Sequence, residues 1–448
     1  MPEIPAGAQI FDVVFHPRFS TVYTGLLTGH IKAFSYDDQG NHKQAFSLRP
    51  SKKSCRGLAL DDDGSHLYAV GKSKALNIID TVTEGIDIVA KAHDSPINRV
   101  KHLMPWILAT GDDEGVIKLW DTRQKQCTRT YTQHFDYISD FLWLQDKKQL
   151  VATSGDGTLS IMDVRSKKPE PIAQSEDQED ELLSIVAIKG GTKVVVGTQL
   201  GILSIFNRSS GWGDCVDRVP GHPLSVDALC TLPALLPNVD TASTILTGSS
   251  DGYVRAVQIL PTKLLGVVAD HGEWPIERIA IGGGEGQLTL DQEDEGTNAK
   301  PEKSKKDESL ESDDEEAEVE ERQSQHGRWW VGSVGHEDVL RMTDLEGFFR
   351  DKEKDDESGK RALGMAVGEG DSDTGDGASE KDPENEPEGE ASGSVIPTQD
   401  SDGDDSAEDS DEPKVKKRKR KPEKDPLTVK KKKGKNSVAV EGTFFDDL

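Results

Sequence analysis

The sequence predicts an all-β chain folded as a seven-bladed β-propeller, with a disordered acidic insertion and a charged C-terminal tail. Two observations carry this reading. A strand–turn–strand pattern returns at intervals of 41 to 51 residues, and near residue 290 the composition turns from globular to densely charged. A period near 40–45 residues with about four strands is the spacing of one propeller blade, which buries its faces only by stacking on neighbours.

Residues 24–34 (TGLLTGHIKAF), 110–120 (TGDDEGVIKLW), 196–206 (VGTQLGILSIF) and 247–257 (TGSSDGYVRAV) align without a gap. Residues 70–80 (VGKSKALNIID) and 153–163 (TSGDGTLSIMD) align with one residue removed from the turn. Each copy is a β-rich segment, a tight turn with Gly/Asp chemistry and a second alternating segment, which reads as a hairpin. The anchors Phe34, Ile79, Trp120, Met162, Phe206 and Val257 set the interval. Another strand precedes the copies, as in residues 11–17 (FDVVFHP), 97–103 (INRVKHL), 138–144 (ISDFLWL) and 225–233 (SVDALCTLP).

A seventh copy is split. Residues 274–283 (WPIERIAIGG) supply its first strand and residues 329–345 (WWVGSVGHEDVLRMTDL) the next two, with an acidic run between them. Such a run must leave as a surface loop, because its backbone could not be satisfied in a core. The propeller is therefore expected over 1–290 and 324–350, and the acidic insertion over 291–323. The ten residues before Phe11 offer little for a strand to close the ring.

The appendages hold most of the net charge of −28. Residues 291–321 carry 15 acidic and 4 basic side chains, and residues 351–412 carry 23 and 5. Residues 414–435 reverse the sign, with 13 basic and 2 acidic. Segments of this kind bury too little apolar surface to offset the entropy of ordering, so 351–413 is read as a disordered acidic tail and 414–436 as a basic localisation segment. Its clusters, Lys416, Lys417, Arg418, Lys419, Arg420 and Lys421, then Lys430, Lys431, Lys432 and Lys433, suit nuclear import receptors. They also suit RNA phosphates, a weaker expectation because no aromatic residue interleaves them for base stacking. Residues 437–448 regain apolar character, and Phe444, Phe445 and Leu448 read either as a docking motif or as a strand lying on the chain's own propeller. Ser312, Ser401, Ser406 and Ser410 sit in acid-rich context, as sites for acid-directed kinases do.

Catalytic chemistry has no motif to rest on. HExxH and phosphate-loop patterns are absent, and the glycine-rich stretch 282–286 leads into the acidic run rather than a helix. The four cysteines (Cys55, Cys127, Cys215, Cys230) form no CxxC pair, which reads as reduced thiols in cytosol or nucleus. No apolar run is long enough to span a bilayer, and the N-terminal residues show no signal-peptide pattern. Neither cofactor nor metal is expected.

At residues 115–121 (GVIKLWD) the pattern resembles the WD repeat, with its Trp-Asp ending. His93, the Gly221-His222 pair, His134 and His271 occupy places where such repeats carry a histidine. The resemblance implies a blade-locking network of His, a Ser/Thr, a turn acid and the Trp: here His93, Thr110, Asp113 or Glu114, and Trp120, with His222 as a further member. Because Met162, Phe206 and Val257 replace the Trp elsewhere, the network is expected to be broken in most blades. Taken together, propeller, acidic insertion, acidic-then-basic tail and terminal FFDDL resemble the nucleolar ribosome-biogenesis family typified by WD-repeat protein fifty-five and its fungal counterparts. That resemblance implies a non-enzymatic scaffold in ribosomal RNA processing and large-subunit production, monomeric within larger complexes, with pre-ribosomal assembly proteins as partners. A rival reading is a substrate receptor of a cullin-type ubiquitin ligase, in which Trp120, Asp121 and Arg123 form a WDxR adaptor box that Asp163-Val164-Arg165 partly echoes. A histone-binding role for the acidic segments is a third.

Overall fold

A computed structural model of the chain describes residues 1–234, 236–283 and 328–351. Within them, seven four-stranded antiparallel sheets stand as blades around an axis. Blade 1 runs outward through Ile10–Phe15, Thr21–Leu26, Ile31–Tyr36 and His42–Leu48. Blades 2 to 6 repeat the order, with innermost strands Cys55–Leu60, Ile97–Met104, Ile138–Leu144, Leu182–Ile188 and Val226–Thr231. Each innermost strand packs against the next, and that of blade 7 (Ile276–Gly283) returns to blade 1. The fold is a seven-bladed β-propeller.

The turns explain why the hairpins recur. Between the second and third strands of five blades the turn closes on Gly29, Gly115, Gly157, Gly201 or Gly252, all with φ between 77° and 84°. A Cβ at Gly252 would stand 2.1 Å from the carbonyl oxygen of Gly272, so side chains are excluded by contact as well as by φ. The six anchor residues all lie buried on third strands. Sheets of this kind have no single core. Instead seven apolar clusters fill the seven gaps between neighbouring blades, such as Tyr68, Val70 and Leu76 of blade 2 against Val100, Leu108 and Trp120 of blade 3.

Ring closure differs from the expectation. Blade 7 contributes Ile276–Gly283, Trp329–Gly335 and Val339–Asp344, and its outermost strand is Glu3–Pro5 from the N-terminal segment. Glu3 pairs with Arg341, Ile4 with Leu340 and Pro5 with Val339, extended by Ala6 N–H to the Asp338 carbonyl (2.7 Å) and Met342 N–H to the Pro2 carbonyl (2.9 Å). A three-residue strand with one buried side chain is too short to show an alternation, and its proline is tolerated because the strand lies at an edge. The residues expected as acidic insertion (291–323) and those expected as tail, basic segment and terminal motif (352–448) lie outside the described residues. Residues 345–351 are helical, and their Leu345 and Phe349 are buried against blades 6 and 7.

Ile4 is fully buried between blades 7 and 1. Ile4→Ala should destabilise the propeller by roughly 2–4 kcal/mol, measured by urea unfolding. It should also speed amide exchange selectively in 339–342; unchanged stability would mean that this strand does not close the ring.

Candidate functional site

A register shift in each of the seven innermost strands builds the site. It falls between Ile10 and Asp12, Cys55 and Gly57, Ile97 and Arg99, Ile138 and Asp140, Leu182 and Ser184, Val226 and Ala228, and Ile276 and Arg278. A bulge re-aims the extra side chain. The seven residues so displaced, Phe11, Arg56, Asn98, Ser139, Leu183, Asp227 and Glu277, all line one cavity of about 520 Å³ at the mouth of the central channel. This face also carries the loops that enter the innermost strands and the turns between second and third strands. Five exposed apolar residues stand on those loops and turns: Leu27, Phe135, Leu200, Leu224 and Trp274.

The residues just past the bulges form the floor. Arg278 of blade 7 lies 3.5 Å from Asp12 of neighbouring blade 1 and reaches across the axis to Asp140 of blade 4 at 3.2 Å. Asp12 also accepts the amides of Leu58 (2.7 Å) and Val13 (2.9 Å), while Arg99 donates to the Ser139 carbonyl at 2.5 Å. Burial pushes Asp12 up despite Arg278 and Arg99. Burial opposes ionisation of Asp140 too, but Arg278, Arg99 and Lys101 outweigh it and hold that carboxyl below its ordinary range. Burial, followed by repulsion from Arg278, pushes Arg99 down to about 10. The ion cluster thus ties blades 1, 2, 3, 4 and 7 together at the axis.

Histidines brace the loops of the same face. His93 Nδ1 lies 2.8 Å from Asp112, His93 Nε2 lies 2.7 Å from Thr110 Oγ1, and Trp120 Nε1–H donates to that same oxygen at 2.8 Å. With the proton on Nδ1, every polar atom of this buried chain is paired. The acid is Asp112. Asp113, expected there, points to the mouth and pairs with Arg56 of blade 2 at 3.1 Å, while Arg56 also donates to Asn98. Glu114 likewise takes no part: its amide donates to Asp112.

Nor does the network depend on tryptophan. His134 bridges Asp156 (3.0 Å) and Ser160 (2.7 Å) in blade 4, where the hydroxyl comes from the third strand because Ala152 holds the place of Thr110. His271 bridges Glu337 and Ser333 in blade 7. Blade 6 keeps half: His222 meets Thr247 at 2.9 Å, but Arg255 captures Asp251 through two hydrogen bonds, and His222 Nδ1 has no partner among the described residues. Burial and then Arg255 push His222 down.

The opposite face carries the rival motif. Trp120 is buried, whereas Arg123 is half-exposed, paired with Asp121 through two hydrogen bonds (3.2 and 2.9 Å) and placed over Trp106. Arg165 repeats the same pairing with Asp163. Lys416, Lys417, Arg418, Lys419, Arg420, Lys421, Lys430–Lys433, Phe444, Phe445, Leu448, Ser312, Ser401, Ser406 and Ser410 lie outside the described residues. Among the described residues, no group of three or more His, Cys, Asp or Glu could hold a metal ion, and no helix is long and apolar enough to cross a membrane.

The family model described as WDR55 matches residues 1–290. The chain belongs to the WDR55 family. It is 61% identical to the WD repeat-containing protein JIP5 of Laccaria bicolor across the whole of both chains. To the JIP5 protein of Coprinopsis cinerea it is 62% identical, over 79% of this chain and 76% of the relative. To WD repeat-containing protein 55 of Arabidopsis thaliana it is 36% identical, over 62% of this chain and 76% of the relative.

For this WDR55-family chain, motif reading located the histidine loops but missed the channel mouth. A signal existed: each bulge follows a buried apolar residue at the head of an innermost strand, from Ile10 to Ile276, and the next residue faces the mouth. Glycines 282 and 283 also find a structural explanation, since a Cβ there would meet Phe15 and Trp329 within 2.4 Å.

The histidine networks give a pH signature. Burial opposes ionisation of Asp156, but His134, the Thr158 hydroxyl and the Phe135 amide outweigh it and hold the carboxyl well below its ordinary range. A depressed folded pKa means the stabilisation is present above the unfolded value near 3.9 and is lost as pH falls from about 5 toward the folded value. Asp156→Asn should therefore lower stability at neutral pH and flatten the acid limb of the urea midpoint against pH. Parallel limbs for the variant and the parent would refute this.

Proposed function

We propose that the chain is a non-catalytic docking scaffold of the nucleolus, supporting ribosomal RNA processing and production of the large ribosomal subunit. The observation that carries the docking half is the mouth face itself: seven side chains re-aimed by bulges into one cavity, ringed by exposed apolar residues. Exposed apolar groups beside a formed cavity are what a protein partner covers. The basic clusters at 416–421 and 430–433 support nuclear import and nucleolar retention, through import receptors and through RNA or acidic partners. The ribosomal step rests on the resemblance to the nucleolar family, and it names pre-ribosomal assembly proteins as the partners. Affinity purification at moderate salt tests it: pre-ribosomal factors support the reading, while a ligase adaptor with its cullin, or histones, would replace it.

Deleting residues 414–435 should abolish nuclear entry and nucleolar signal together while leaving the unfolding midpoint of the propeller unchanged. Fusing an unrelated import signal should restore entry but not nucleolar enrichment. A normal nucleolar signal in the plain truncation would assign location to another part of the chain.

Arg123→Ala separates scaffold from ligase receptor. Because Arg123, among the described residues, bonds only within its own loop and over Trp106, the change should leave folding and ribosomal RNA maturation near normal. Selective loss of adaptor binding by the folded variant would favour the ligase reading.

A further inference from the structure

We infer that the channel mouth receives a cationic side chain, arginine or lysine, from an extended segment of a partner protein, with the charge seated beside Asp227 and Glu277. The inference deepens the docking reading and rests on it, but not on the nucleolar one.

The order of bulged residues around the ring specifies the ligand. Blades 6 and 7 contribute the carboxylates Asp227 and Glu277, blades 1 and 5 contribute Phe11 and Leu183, and blades 3 and 4 contribute Asn98 and Ser139. The one basic member, Arg56 of blade 2, is already engaged by Asp113 and Asn98. Glu277 has a counter-charge of its own, His336 at 2.5 Å. Asp227 does not. Its Oδ2 accepts the hydroxyls of Ser225 (3.0 Å) and Ser250 (2.7 Å), and among the described residues no basic group lies within ion-pair distance. Two hydroxyls aim the carboxylate; burial pushes the group up, the Ser250 and Ser225 hydrogen bonds pull it back, Glu277 adds to the rise and His336 opposes it. A partly buried, oriented carboxylate with no cation in contact favours one that arrives with a binding partner.

Three further features narrow the class. The floor beneath is capped by Arg99 and Arg278, so a cation is held at the level of the bulges and cannot descend. Phe11, Leu183 and Tyr137 line the cavity, which suits the apolar stem behind a guanidinium or ammonium. On the rim, Leu224 and Trp274 stand exposed three residues before Asp227 and Glu277, and Phe135 lies beside Asp136. They offer apolar contact to residues flanking the cation. Nucleic acid is disfavoured, since Asp113, Asp136, Asp227 and Glu277 would repel phosphates at this mouth.

The test uses the full chain and fluorescent heptapeptide pools holding one central arginine between randomised Ala, Ser, Leu and Phe. A matched pool carries citrulline, which keeps the shape and removes the charge. Anisotropy should show at least tenfold tighter binding of the arginine pool. Asp227→Asn with Glu277→Gln should erase that preference at an unchanged melting midpoint; if the pair fails to fold, Asp227→Asn alone should reduce it severalfold. Equal binding of both pools, or a preference that survives in the folded variant, overturns the inference. A tenfold gain on deleting residues 414–435 would also overturn it, by showing the chain's own basic segment in the mouth. Recovery of the same factors by the folded double variant as by the parent would leave docking intact and refute the mouth as its site. An arginine preference in a chain that retains no cellular partner would support the mouth and sink the docking reading.

Discussion

Three residue pairs close the ring. Glu3, Ile4 and Pro5 complete the sheet that Ile276 to Asp344 begins, so the two ends of the described chain share blade 7. Closure matters because a propeller has no central core. Its apolar surface is divided among seven gaps between blades, and each blade is buried only while both neighbours stay in place. An open ring would expose the cluster of Ile4, Ile10, Val13, Trp330 and Leu340, and would offer a strand edge for aberrant pairing.

The same geometry produces the site. Strands converging on an axis place equivalent positions of every blade around one opening. A bulge at the head of each innermost strand turns one side chain into that opening and the next into the floor. Repetition supplies positions, and substitution supplies chemistry: Phe, Arg, Asn, Ser, Leu, Asp and Glu at the mouth, with Asp, Gly, Arg, Asp, Ser, Ala and Arg beneath. Two of the lower residues, Arg278 and Asp140, meet across the axis, so the floor also braces opposite sides of the ring. Buried ion pairs lose much of their Coulomb gain to desolvation, so what these pairs fix is position across the axis rather than a large stability gain.

Redundancy among the histidine loops shows how the repeat drifts without losing its function. Blade 3 has the whole chain of Trp120, Thr110, His93 and Asp112; blade 4 supplies the hydroxyl from the opposite strand; blade 7 uses glutamate; blade 6 has surrendered its acid to Arg255. What persists is an imidazole with its Nε2 on a hydroxyl. That bond pins the entering loop to the second or third strand, which holds the rim residues beside it.

Much of the architecture was legible in the sequence because it is local. Hairpin alternation, glycine at the left-handed turn position and a buried anchor on the third strand all repeat within about a dozen residues, and a period of such units implies a ring. His93, Thr110 and Trp120 could be named because that repeat resembles the WD repeat. Tertiary structure alone decided the rest. The closing strand is three residues long, too short for periodicity, and exists only because a distant edge awaits it. Asp112 and Asp113 are adjacent and chemically identical, and only the twist of the turn sends one to His93 and the other to Arg56. Asp227 and Glu277 lie on different blades, each indistinguishable in sequence from a solvated acid. What brings them to one mouth is register: a bulge is defined by the partner strand it fails to match, and a ring position by the blades on either side.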